Sequence, residues 1–264
     1  MTAVDEKPTE TATPVLEARD VAVHFGGVKA VDGLSISLQA GKIYGIIGPN
    51  GSGKSTLLGA LTRLTQLTRG EMFFDGQEYH RVPPAEVAKR RVARTFQTVR
   101  LLADLTVLDN IQLGADAGAS TGSSGAFRRM FGRGRSPAVA EAISRTSLQG
   151  FEDYYPSELS YGTQRRVEIA RAIAMDPRLL LLDEPTAGMN QKERAEISEL
   201  LKSLRDEGLC QLLVEHDVQM MIDTCDYVFA MNFGQLIAEG TPSEVVREPQ
   251  VQEAYLGKKW REHA

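Results

Sequence analysis

The sequence predicts an α/β fold with a mainly parallel sheet covered by helices, and two stretches carry that expectation. Beyond residue 178, strand-like and helix-like segments alternate at 179–182, 192–207, 211–214, 218–223 and 227–231, the pattern of strand–helix–strand units. Upstream, a short apolar run at 42–47 enters a glycine-rich loop and then a helical pattern at 54–64. The chain has 264 residues, 42% hydrophobic and 25% charged, which suits one large domain or two modest ones and excludes a disordered or collagen-like chain.

Taken in order, residues 1–14 combine acids, prolines and threonines and read as a flexible tail with no apolar core for a signal peptide. Leu34, Ile36 and Leu38 alternate with Ser35, Ser37 and Gln39, the period of a half-buried strand. Further strands are expected at 72–74 and 92–96. Helical character begins at Thr106, breaks in a Gly/Ser stretch at 117–125 and a basic run at 127–135, and returns at 137–149. Residues 163–175 form the strongest helical pattern, with Val167, Ala170, Ile173 and Ala174 on one face and Asp176-Pro177 as its stop. This divides the chain into a core at 15–98 and 177–241, an inserted helical subdomain at 99–176, and a C-terminal tail at 242–264.

Thirty basic residues against thirty-five acidic leave a net charge of −5, which argues against a broad nucleic-acid surface. No apolar run approaches the ~20 residues of a membrane span, so a soluble, cytosolic chain is expected. Cys210 and Cys225 have neither metal-ligand spacing nor disulfide density and read as reduced, buried thiols. In the basic run, Arg128, Arg129, Arg133 and Arg135 lie among Phe127, Met130 and Phe131. A solvated linker and an anionic membrane contact both fit it.

Gly48-Pro49-Asn50-Gly51-Ser52-Gly53-Lys54-Ser55-Thr56 matches G-x-x-x-x-G-K-[ST] between an expected strand and helix. Glycines let backbone N–H groups converge on phosphate oxygens, and the helix N-terminus adds a favourable dipole. Lys54 would neutralise the β- and γ-phosphates and the Ser55 hydroxyl would ligate Mg²⁺. Farther on, the apolar strand at 179–182 ends in Asp183 and Glu184. Alone, that pattern equally fits an ordinary strand end. After a phosphate loop it suggests that Asp183 holds Mg²⁺ and Glu184 polarises the attacking water.

The segment Leu159-Ser160-Tyr161-Gly162-Thr163-Gln164 resembles the signature segment of ABC-type ATPases, departing from the common L-S-G-G-Q at Tyr161 and Thr163. The resemblance spans about residues 15–257, with its motifs in family order, and completes the expected fold class: a P-loop NTPase core, an N-terminal antiparallel β portion and an inserted helical subdomain. It implies that Ser160 and Gly162 face the γ-phosphate held by a partner ATPase subunit. Gln97, after Arg94-Thr95-Phe96, matches the glutamine loop that reaches Mg²⁺ and water. His216 matches the switch histidine, and Asn190 lies in the interface-crossing loop, often occupied by Asp in the family. Phe25 stands where the family places an aromatic on adenine, although a core phenylalanine also fits. His24, His80 and His263 read as structural.

Within the family, the strings Arg94-Thr95-Phe96-Gln97, Val214-Glu215-His216-Asp217 and Ala254-Tyr255-Leu256-Gly257 are similar to the ATPase subunits of branched-chain amino acid importers. Related urea and lipid systems share some of them. The resemblance implies ATP and Mg²⁺, transmembrane permease subunits, an identical or related second ATPase subunit, and indirectly an extracytoplasmic solute-binding protein. It also implies a peripheral position on the cytoplasmic face of the membrane. A soluble ABC ATPase of translation or DNA repair is the alternative, but there is one phosphate loop, no heptad run and no paired CxxC. A GTPase or small-molecule kinase lacks support because the guanine-reading N-K-x-D string is absent and the signature segment would be left unexplained. A scaffold without turnover is disfavoured by Lys54 and Glu184.

Overall fold

Leu34, Ile36 and Leu38 are buried and Ser35 and Ser37 exposed along strand β2 (Val28–Leu38), as their alternation requires. Strand β2 pairs antiparallel with β1 (Leu16–Phe25), β1 with β4 (Arg69–Phe74), and β4 with the short β5 (Gln77–Glu78), giving a sheet of order β2-β1-β4-β5. The computed structural model describes residues 13–119 and 136–256. The tail at 1–12, the basic run with most of the Gly/Ser stretch, and the chain beyond 256 lie outside the described residues.

A second sheet has the order β10-β9-β3-β8-β7-β6, from β3 (Ile43–Ile47), β6 (Val92–Arg94), β7 (Leu179–Asp183), β8 (Cys210–Val214), β9 (Tyr227–Asn232) and β10 (Gln235–Gly240). All its pairings are parallel except β10 with β9. Strands β3, β7 and β8 are buried at every position, which is why they read as largely apolar runs rather than alternating ones; the buried Gln211 of β8 donates its Nε2 to the Leu201 carbonyl at 2.8 Å.

The strand period of two divides these residues between two cores. Ile43, Ile47, Leu180, Leu182 and Leu213 face the helices α2 (Val107–Gly118), α3 (Pro137–Arg145), α4 (Tyr161–Ile173), α5 (Gln191–Asp206) and α6 (Val218–Thr224). Tyr44, Ile46, Leu179, Leu181 and Leu212 face the antiparallel sheet and the helix α1 (Lys54–Leu61). Each fully buried leucine contributes about 1.5–3 kcal/mol relative to exposure. Val245, on helix α7 (Pro242–Arg247), and Val251 join the first core, so the start of the C-terminal segment packs on the sheet.

Several boundaries differ from the sequence expectation, each for a local reason. Helix α1 stops at Leu61 rather than 64: the Thr62 hydroxyl donates to the Leu58 carbonyl at 2.8 Å, and Arg63 takes a left-handed φ of 62°. Helix α3 stops at Arg145 rather than 149. There Thr146 Oγ1 donates to the Ala142 carbonyl at 2.7 Å and Ser147 has φ 54°. Helix α4 begins at Tyr161, two residues earlier than expected, because Ser160 caps it. Strands β1 and β10 were not legible as strands, since neither has a clean alternation: β1 carries an irregularity near Asp20 (φ 48°), and β10 is half-buried throughout much of its length.

Candidate nucleotide site

The loop at 48–56 leaves the C-terminal end of β3, in the middle of the parallel sheet, where open α/β sheets place their ligands. Backbone neighbours hold it from two sides. Gly234, in the β9–β10 turn, donates its N–H to the Ser52 carbonyl at 3.0 Å and accepts from Asp32 N–H at 2.8 Å. At Gly53 (φ 105°) a Cβ would run into the Ala30 carbonyl of β2, so the second glycine of the motif is required twice over, by backbone conformation and by space.

Helix α1 then opens at Lys54. The backbone N–H groups of Lys54, Ser55 and Thr56 are first-turn donors, and among the described residues none of them donates to a carbonyl. Lys54 is buried, and its Nζ folds back to donate to the Gly48 carbonyl at 2.7 Å and the Pro49 carbonyl at 3.0 Å. Burial lowers its pKa, opposed by the negative charges of Glu184 and Asp183. Ser55 is exposed and Thr56 half-buried at the mouth of the loop. The result is a run of unpaired backbone donors beside a buried lysine, suited to a phosphate chain.

Neighbouring strand ends supply the acids. Asp183 closes β7, nearly buried, and accepts from Arg94 Nη2 at 2.9 Å; Arg94 Nη1 also donates to Thr62 Oγ1. Glu184 follows with φ 46° and a hydrogen bond from its N–H to the Val214 carbonyl. Its Oε2 accepts from Gln97 Nε2 at 2.9 Å, and its Oε1 meets His216 Nε2 at 2.7 Å. The ends of β6, β7 and β8 thereby bring Gln97, Glu184 and His216 into one chain of hydrogen bonds.

Beside them, Glu215 is buried and holds Thr186 through its N–H at 2.9 Å and its hydroxyl at 2.6 Å. Burial pushes the Glu215 carboxyl up, against these bonds and the one from His216 N–H. Among the described residues, no group of three or more His, Cys, Asp or Glu could hold a metal. A cation here would take Asp183, the Ser55 hydroxyl, the Gln97 amide oxygen and oxygens from phosphate and water. That donor set fits Mg²⁺, which uses one or two carboxylates with substrate phosphates.

Ser160 and Gly162 lie apart from this cluster. Ser160 Oγ accepts from Thr163 N–H at 3.2 Å, capping α4, and lies 2.9 Å from Thr163 Oγ1. The two residues line a hollow with Met189 and Glu193, and neither hydrogen-bonds to the loop at 48–56. Asn190 is exposed and caps α5 by accepting from Glu193 N–H at 3.0 Å. Phe25 is 56% exposed at the β1–β2 hairpin, so it is not a core residue. His24 pairs with Asp32 and His80 with Glu78, at 3.1 and 3.4 Å, and His263 is outside the described residues. Cys210 and Cys225 are free and buried, and burial pushes the Cys210 thiol up to about 12.

Sequence reasoning missed Arg94, Arg165, Glu168 and Glu215, all charged residues in contact with the site's backbone or side chains. Arg94 and Glu215 lie inside strings already singled out for their neighbours Gln97 and His216, and the i, i+3 spacing of Arg165 and Glu168 was a further signal.

The family model for ABC transporters matches residues 31–187. The chain belongs to the ABC transporter family. It is an ATP-binding, ATP-hydrolysing subunit of that family. A second family model, described as branched-chain amino acid ATP-binding cassette transporter, matches residues 235–260. Among curated relatives, the high-affinity branched-chain amino acid transport ATP-binding protein BraF of Pseudomonas aeruginosa is 36% identical over 252 residues, covering 93% of this chain and 98% of the relative. LivG of Escherichia coli, with the same description, is 36% identical over 251 residues, with the same coverages. The lipopolysaccharide export ATP-binding protein LptB of Haemophilus influenzae is 30% identical, covering 94% and 99%.

Solved ABC structures share the fold. A nucleotide-free ATP-binding cassette superposes with a TM-score of 0.82 at 30% identity, covering 93% of this chain and 100% of that one. The ADP conformation of a cassette gives 0.81 at 30% identity, covering 93% and 99%. Among the described residues no helix is long and apolar enough to cross a membrane.

Proposed function

We propose that this ABC subunit drives the import of branched-chain amino acids, bound peripherally to a permease at the cytoplasmic face of the membrane. The cargo reading rests on the BraF and LivG relatives and on the match at 235–260. The observation that carries the mechanism is the Glu184 carboxylate, held on one oxygen by Gln97 and on the other by His216.

In this reading the unpaired donors of residues 54–56 take the phosphate chain, and Lys54 swings from the Gly48 and Pro49 carbonyls to phosphate oxygens. Phe25 offers its exposed ring to the adenine. Ser55, Asp183 and Gln97 would hold Mg²⁺, which when bound offsets charge on the transferring phosphoryl group. Glu184 accepts a proton from water aligned by Gln97 and His216, and such a base contributes about 10²–10⁴-fold.

Ser160 and Gly162, remote from their own chain's loop, present the N-terminus of α4 to nucleotide bound by a second ATPase subunit. Two nucleotides would then close a pair, and hydrolysis would release it. The permease would receive that closure as a rigid-body movement.

The test is uptake of labelled leucine, isoleucine and valine into vesicles holding this chain assembled with its permease and solute-binding protein. ATP-dependent uptake abolished by Lys54→Ala is expected. ATP-dependent movement of a lipid or another solute, without these amino acids, would overturn the cargo assignment.

A further inference from the structure

Among the described residues, the largest fully buried side chain is a cation. Arg165, on the first turns of α4, is 0% exposed. Its Nη1 donates to the Phe96 carbonyl and to Glu168 Oε2, both at 2.6 Å. Its Nη2 reaches the Gln97 carbonyl at 2.7 Å, the Tyr161 hydroxyl at 3.3 Å and the Glu184 carbonyl at 3.4 Å. Glu168 Oε1 in turn accepts from Phe96 N–H at 3.4 Å. One buried ion pair therefore grips the backbone of the glutamine loop from both its N–H and its carbonyl sides, and touches the backbone of Glu184 as well.

We infer that Arg165 is a positioning residue that couples a chain's own signature segment, through Tyr161, to its Gln97 and Glu184. The inference rests on the hydrolytic reading above. Gln97 and Glu184 are the two residues whose side chains meet at 2.9 Å, and Arg165 contacts the main chain of both. Stability alone does not account for this arrangement. A buried ion pair is weak evidence of stabilisation, and the Nε–H of Arg165 is buried without an acceptor, a cost that an apolar side chain of similar volume would avoid.

The coupling follows from counting hydrogens. Nη2 carries two N–H groups but has three acceptors within reach, and the Glu184 carbonyl is the farthest of them. Tyr161 and Glu184 thus compete for one hydrogen. Tyr161 stands between Ser160 and Gly162 with 41% of its surface exposed, in the segment that would meet the partner's nucleotide. Drawing Tyr161 toward that nucleotide frees the hydrogen for the Glu184 carbonyl and tightens the hold on the catalytic residue. Occupancy of one composite site is in this way reported to the other, which the same chain serves with its own base.

The experiment is steady-state ATP hydrolysis by the assembled transporter carrying Tyr161→Phe or Arg165→Lys, together with thermal unfolding of each subunit. Tyr161→Phe removes one acceptor from an exposed ring. It should raise hydrolysis in the absence of transported solute by about two- to tenfold, the effect of a single hydrogen bond, with KM and unfolding temperature unchanged. Arg165→Lys keeps the charge beside Glu168 but loses the fork, and should lower kcat by about 10²-fold, the effect of a small misplacement of reacting groups, at unchanged KM. Unaltered solute-independent hydrolysis in Tyr161→Phe would overturn the proposal. So would an Arg165→Lys subunit whose kcat and unfolding temperature fall while its KM rises, the mark of a structural role. If Arg165→Lys does not fold, Tyr161→Phe decides alone. A wild-type assembly without ATPase activity would instead overturn the hydrolytic reading, and the coupling with it.

Discussion

Replacing Glu184 by Gln separates catalysis from architecture in this molecule. The carboxylate has two neighbours, Gln97 Nε2 at 2.9 Å and His216 Nε2 at 2.7 Å, one on each oxygen. A glutamine of the same shape can point its oxygen at the Gln97 amide and its NH₂ at His216, whose Nδ1–H tautomer accepts. Both hydrogen bonds survive in altered polarity, so the fold should lose no more than about 1 kcal/mol, the value of one neutral hydrogen bond.

The amide cannot take a proton from water. Loss of a positioned base costs about 10²–10⁴-fold, or roughly 3–5 kcal/mol of barrier at 1.36 kcal/mol per decade. Phosphate release at saturating ATP should therefore fall by that factor with KM unchanged, the pattern of an interaction made only in the transition state. Size-exclusion chromatography with light scattering should find the nucleotide-bound pair enriched, because closure is kept and release is lost. A kcat within about threefold of wild type would refute Glu184 as the base, since that residue shift is under 1 kcal/mol.

Two further outcomes follow from local geometry. Gly53 and Gly51 both have positive φ, 105° and 79°, but only at Gly53 would a Cβ meet the Ala30 carbonyl, whereas nothing lies within 4 Å at Gly51. Gly53→Ala should weaken nucleotide binding at least about tenfold more than Gly51→Ala, the latter carrying only backbone strain of about 1–3 kcal/mol; equal affinities by calorimetry would contradict this account of the loop. Glu215 has its pKa raised from 4.5 chiefly by burial. The folded state is therefore penalised by this charge above the raised pKa, and relieved as pH falls through it toward 4.5. Glu215→Gln should lack that gain in urea melts across acidic pH, and a variant whose pH–stability curve matches wild type would show that Glu215 is not strained by its burial.

Much of this was legible from local chemistry. Strands β3, β7 and β8 announced themselves because burial on both faces favours largely apolar residues. The phosphate loop was legible because glycine, lysine and hydroxyl at fixed spacing have few other uses. Helix ends were less so: Thr62 and Thr146 terminate α1 and α3 by turning their hydroxyls onto carbonyls four residues back, a choice that the helical pattern does not signal. Strands β1 and β10 were obscured by irregular or half-buried pairing that becomes definite only beside their neighbours.

The amino-acid sequence by itself determined the nucleotide loop and the acids at the end of β7, because each depends on residues close together in the chain, and the family resemblance, because it depends on such short motifs and their order. Only tertiary structure decided that Gln97, Glu184 and His216 share a hydrogen-bonded line, that Asp183 meets Arg94, and that Arg165 reaches the main chain of both Gln97 and Glu184. Those contacts join strand ends and a helix far apart in the chain, and the order of strands in the parallel sheet, set by which faces must be buried together, is what brings them within reach.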